Sequence, residues 1–133
     1  LTAIGTLIEF NTSCAPVFAQ RGALAAVQGA AQSVPPLIDH WRQCRDALCN
    51  ALAALPGVRV APPLGGLYAF LQLPGQTDSL ALAKRLVTEH GLGLAPGAAF
   101  GPEGEGWLRW CFASRDASRL LQGVQRLRPT LGL

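Results

Sequence analysis

Apolar positions in this chain follow two periods. Between Ser33 and Leu55, the residues Leu37, Trp41, Cys44, Leu48, Leu52 and Leu55 recur at steps of three and four, which predicts a long helix with one apolar stripe. Arg42, Arg45, Asp46 and Asn50 lie mostly off that stripe. Ser33 is the expected cap, Pro35 and Pro36 suit a first turn, and Pro56-Gly57 stops the helix. Shorter helices are expected over Thr2–Phe10, Val17–Val27, Asp78 or Ser79 to about Glu89, and Asp116–Leu127. Asn11–Pro16 separates the first two, because its side chains compete for backbone hydrogen bonds and Pro16 lacks a donor. Gly29 and Gly91 are the expected stops. Strand signals fall at Val58–Val60, Leu67–Leu73, Leu92–Ala95 and Trp107–Phe112, with a glycine-rich loop over Pro96–Gly106. Strands adjoining in sequence predict an antiparallel or mixed sheet of about three to four strands packed by helices, an α+β class with a long N-terminal helix.

Composition adds a constraint. Half of the 133 residues are hydrophobic and 14% are charged, which is apolar for a chain of this size. Some of that surface is expected to face another domain or subunit. The net charge of +3 is read as a small, scattered excess without a basic stripe, which argues against a nucleic-acid partner. No apolar run approaches the roughly 18 residues of a membrane span. The opening Leu1-Thr2-Ala3-Ile4 reads like an internal stretch of a longer protein. Cys14, Cys44, Cys49 and Cys111 form no CxxC pair, and neither His40 nor His90 completes a metal-ligand spacing, so reduced thiols in the cytoplasm and no metal are expected. The sequon Asn11-Thr12-Ser13 is ascribed to chance, since no secretion signal accompanies it.

Chemistry concentrates on Trp107–Phe112. Leu108, Trp110 and Phe112 share one strand face; Trp107, Arg109 and Cys111 share the other. Both faces are largely apolar. A guanidinium held there needs an anion, and its planar fork matches a carboxylate. The alternatives are a water-facing arginine on an edge strand, or one paired with Glu103 or Glu105. Pro96–Gly106 lacks the glycine spacing and lysine of a phosphate loop, and two glutamates would repel an anion; it is a connector or the border of a ligand cleft. Gly65-Gly66 permits a tight backbone before Tyr68, which lines a pocket or sits in the core with its hydroxyl at the rim. Thr12 and Ser13 either meet a ligand or cap the helix at Val17. The cysteines have no evident histidine partner, and Cys44 and Cys49, five apart, do not share a helix face. The single lysine, Lys84, lies beside Arg85 on a polar helix side, unlike a Schiff-base lysine.

Four segments together carry a resemblance. Glu9–Ser13 running to Val27, Pro63-Leu64-Gly65-Gly66-Leu67-Tyr68-Ala69-Phe70, Gly91–Gly101 and Gly104-Glu105-Gly106-Trp107-Leu108-Arg109 resemble, in order and spacing, the C-terminal part of class I/II aminotransferases. These are the fold-type-I, aspartate-aminotransferase-like enzymes that use pyridoxal 5′-phosphate. The resemblance implies that residues 1–32 are the tail of the large, cofactor-binding domain and 33–133 the small C-terminal domain. It implies that Arg109 grips the substrate α-carboxylate, that Tyr68 and Asn11 lie near substrate, and that Thr12 and Ser13 lie near the cofactor. The parent would move an amino group between an L-amino acid and a 2-oxo acid, as a homodimer in the cytoplasm. Ala98 stands where the family often has a hydroxyl residue. The aldimine lysine and most phosphate-binding groups lie upstream in this family, so the chain alone is expected to bind no cofactor, to hold no catalytic residue and to be inactive. An aminotransferase-like domain of a transcription regulator, or a non-enzymatic α+β module binding a small carboxylate or mediating association, are the alternatives.

Overall fold

The apolar stripe becomes a helix longer than its sequence signals suggest. A computed structural model describes residues 2–133. Its helices are α1 (Thr2–Asn11), α2 (Val17–Gln28), α3 (Ala30–Ala53), α4 (Ser79–His90) and α5 (Ala117–Leu127); its strands are β1 (Arg59–Val60), β2 (Tyr68–Gln72), β3 (Ala95–Pro96) and β4 (Trp107–Cys111). Ser33 does not cap α3. The Gly29 carbonyl accepts from Gln32 N, Ser33 N and Ser33 Oγ, so the helix starts upstream and Pro35 and Pro36 fall inside it. Both lie past the first turn, so the helix forgoes the bonds their N–H groups would have given to the Ala31 and Gln32 carbonyls.

The chain divides into two compact units, one ending at Leu37 and the other beginning at Ile38. In the first, α1 and α2 contain no buried residue. The second holds the core. Cys44, Leu48 and Leu52 of α3 are buried, as are Leu82 and Leu86 of α4 and Leu120, Val124 and Leu127 of α5. Two residues of the predicted apolar sets escape burial: Leu37 and Leu121 are both exposed.

These helices pack on an antiparallel sheet with the order β1-β2-β4-β3. The buried residues of β2 and β4 are Ala69, Leu71, Leu108 and Trp110, and alternation turns Tyr68, Phe70, Trp107 and Arg109 to the other face. The strand expected at Leu92–Ala95 forms only at Ala95–Pro96. Leu92 N is drawn to Leu86 O at 3.0 Å, completing the end of α4 beside left-handed Gly91, and Leu92 and Leu94 are buried as apolar plugs before pairing begins. Pro96 is tolerated because β3 is an edge strand. No described helix is long and apolar enough to cross a membrane.

Candidate functional site

Arg109 lies on β4, an inner strand, so it is not an edge-strand arginine. Its cross-strand neighbours are Phe70 on one side and Ala95 on the other. Its Cζ is 4.1 Å from the Tyr68 ring centre and 3.8 Å from that of Phe100. Phe100 in turn meets Phe70 edge-on, with ring centres 5.8 Å apart. Cation–π contacts of this kind contribute about 0.5–2 kcal/mol and fix the guanidinium plane. They do not satisfy its N–H donors, which lie in that plane. Among the described residues, no carboxylate lies within ion-pair distance of Arg109 and its side chain makes no hydrogen bond. A partly buried, ring-clamped and unpaired guanidinium is suited to a planar anion such as a carboxylate.

Neither proposed glutamate partner neutralises it. Glu105 Oε1 accepts Ser79 N at 2.6 Å and Gly106 N at 2.8 Å. The Ser79 N–H first, then that of Gly106 and the Ser79 hydroxyl, hold the Glu105 carboxyl below its ordinary range. Glu103 is exposed and makes no ion pair among the described residues. Ser79 is fully buried, and its Oγ also accepts Ala98 N at 3.2 Å. The start of α4 is thereby tied to the segment carrying Phe100.

That segment is no flexible connector. It forms two 3₁₀ turns, Gly97–Phe100 and Pro102–Gly104. A Cβ on Gly97 would collide with the Gly104 carbonyl and stand 2.7 Å from Trp107 O, and a Cβ on Gly104 would strike Gly97. Both glycines are needed for backbone approach, which seats Phe100 over Arg109. Sequence reading placed Phe100 only in the loop; the single usable signal was one aromatic among small residues in Pro96–Gly101.

The remaining expected residues belong to the first unit. Thr12 N and Ser13 N both donate to Ile8 O, and Ser13 has φ 59°, so the pair terminates α1. Neither caps α2, which is preceded by Pro16 and has no side-chain cap. Asn11 and Thr12 border a shallow apolar cavity with Ile4, Leu7, Ile8 and Phe10. Arg109 and Tyr68 are brought together in the second unit.

The cysteines are not all without a histidine neighbour. Cys44 has a histidine partner: His40 Nε2 is 3.6 Å from its Sγ, and both reach the Ser114 carbonyl, the ring nitrogen at 2.8 Å. The i,i+4 spacing could have shown it. Cys44 is fully buried, however, and Cys49, also buried, has its thiol pushed up by desolvation. The described residues contain no cluster suited to a metal. Lys84 is exposed on α4, so no lysine of this chain sits in a desolvated pocket fit for an aldehyde cofactor.

Comparison with known proteins gives a consistent result. A family model described as aminotransferase class I and II matches residues 2–127. The probable aspartate aminotransferase of Methanocaldococcus jannaschii is 32% identical over 107 residues, covering 80% of this chain and 28% of the relative. The LL-diaminopimelate aminotransferase of Desulforudis audaxviator is 30% identical over 113 residues, covering 85% and 28%. Among solved structures, the aspartate aminotransferase of Thermotoga maritima superposes with TM-score 0.81 at 26% identity, over 99% of this chain and 33% of that one. An alpha-aminoadipate aminotransferase from Thermus thermophilus, complexed with N-(5′-phosphopyridoxyl)-L-leucine, gives TM-score 0.69 at 26% identity, over 80% and 28%. The chain thus spans less than a third of the length of these curated relatives.

Proposed function

The chain belongs to the class I and II aminotransferase family, and from that premise we propose that it supplies the substrate-carboxylate grip of a pyridoxal-phosphate-dependent aminotransferase acting on an L-amino acid and a 2-oxo acid. The observation that carries this reading is the Arg109 guanidinium, clamped between Tyr68 and Phe100 and without an acidic partner among the described residues. In this reading Arg109 takes the substrate carboxylate through two parallel hydrogen bonds and Tyr68 borders the bound amino acid. Residues 33–133 act as the small domain, while residues 1–32, with Asn11 beside the substrate and Thr12 and Ser13 toward the cofactor, belong to the large one. Pyridoxal phosphate, when bound in the longer protein, supplies the electron sink. The residues of this chain do not fit its attachment, Lys84 being solvent-exposed, so the chain by itself neither holds the cofactor nor transaminates. We propose that the parent is a cytoplasmic homodimer; light scattering on the full-length protein would check the dimer, and cell fractionation the location.

Arg109→Ala in the full-length enzyme is expected to lower kcat/KM for amino acids by roughly 1.5–3 kcal/mol, about ten- to a hundredfold or more. Arg109→Lys should recover only part of this, because the ammonium keeps the charge but not the fork. The deficit should shrink for an amine substrate without the carboxylate. An unchanged kcat/KM for Arg109→Ala would remove Arg109 from the site.

A further inference from the structure

The charge excess is not scattered once its position is counted. From Ala113 to Leu133 the sequence carries four arginines and one aspartate, a net +3; the other 112 residues carry seven basic and seven acidic side chains. Three of these arginines, Arg115, Arg119 and Arg126, line one cavity of about 580 Å³ between α5 and the end of β4. Arg119, Gln122 and Arg126 recur at three and four residues and share a face of α5. Among the described residues none of the three arginines has an ion-pair partner. Asp116 is turned to Ser118, whose hydroxyl it accepts at 2.6 Å and whose N–H it accepts at 2.8 Å; Arg119 acts on it only as a lesser, through-space charge, and it does not line the cavity. Arg126 spends one N–H on the Gly91 carbonyl at 3.1 Å. Trp110 and Leu92 also border it, but both are buried, the Trp110 ring lying beneath Gly123, where a Cβ would stand 2.6 Å from it. All three are exposed, so solvent screens their mutual repulsion, while an anion seated in the concavity would be attracted by all of them at once. Three guanidinium forks exceed what one carboxylate can use and match the oxygens of linked phosphates. The volume suits a small organic ligand.

We propose that the cavity lined by Arg115, Arg119 and Arg126 is a binding site for a diphosphate group, free or carried on a small organic molecule, held by the three guanidinium forks. This site is separate from Arg109 and does not rest on the aminotransferase reading. The test is calorimetric titration of the full chain with inorganic pyrophosphate and with ADP, without divalent cations, at low and at physiological salt. Saturable one-to-one binding is expected with each, and the comparison of the two tells whether the organic body adds to the diphosphate. Arg119→Gln and, separately, Arg115→Gln should weaken it roughly tenfold or more. Arg85→Gln, on the exposed side of α4, should leave it unchanged. Circular dichroism checks that each variant folds, and Arg115, which precedes α5, offers a substitution outside the helix. Non-saturating heats, or equal weakening by Arg85→Gln and Arg119→Gln, would show diffuse charge attraction and overturn the site.

Discussion

Glu105 occupies a position where one carboxylate oxygen receives two backbone donors, Ser79 N at 2.6 Å and Gly106 N at 2.8 Å. Its folded-state value lies below the ordinary 4.5, so the native chain binds fewer protons than the unfolded one in that range. The stabilisation is present above the ordinary value and is lost as pH falls through the depressed one. Glu105→Gln should therefore flatten the acid limb of a stability–pH curve measured by urea unfolding; an unaltered limb would mean the carboxylate contributes nothing there. The residue scale is also where the sequence was most and least readable. Alternation along Trp107–Phe112 put Arg109 on the correct face, since a period of two survives any fold. Phe100 stood out only as a lone aromatic among small residues; its place over the guanidinium depends on backbone contact between Gly97 and Gly104, which no local pattern encodes.

Among the elements, α4 and α5 matched their signals closely because capping is local chemistry: Asp78 accepts Ala81 N, and Asp116 accepts Ser118 N. β3 departed from its signal because pairing with β4 reaches only Ala95–Pro96, and the start of α3 departed because the backbone keeps turning from Gly29, whose carbonyl takes the Ser33 N–H and hydroxyl that the cap would have used. The paired 3₁₀ turns make a sharp prediction. Gly97→Ala forces its Cβ into the Gly104 carbonyl and should cost about 1–3 kcal/mol or more, as overpacking does, read as a lowered urea midpoint. Gly65→Ala meets nothing within 4 Å and has no positive φ, so it should stay within about 1 kcal/mol of the parent. Similar losses for both variants would sink the role given to the Gly97 contact.

For the whole molecule, the apolar excess in the composition has a location. Phe10, Phe18 and Leu7 in the first unit are 85%, 79% and 67% exposed. The 133-residue chain should bind a hydrophobic dye, and Phe10→Asp with Phe18→Asp should reduce that signal without shifting the melting of the second unit. Added pyridoxal phosphate should give no stoichiometric imine beyond labelling of Lys84 or the N-terminus; an imine abolished only by Lys84→Ala would overturn the inactivity proposed for the chain alone. The buried Ser79 hydroxyl carries a last consequence. It accepts Ala98 N, while Ser79 N is bound by Glu105, so α4 and the ring over Arg109 share one polar joint. An anion that displaces Phe100 would loosen that joint, and hydrogen exchange would accelerate at the Ala98 and Ser79 amides, reporting occupancy of the arginine from an element that never touches the ligand.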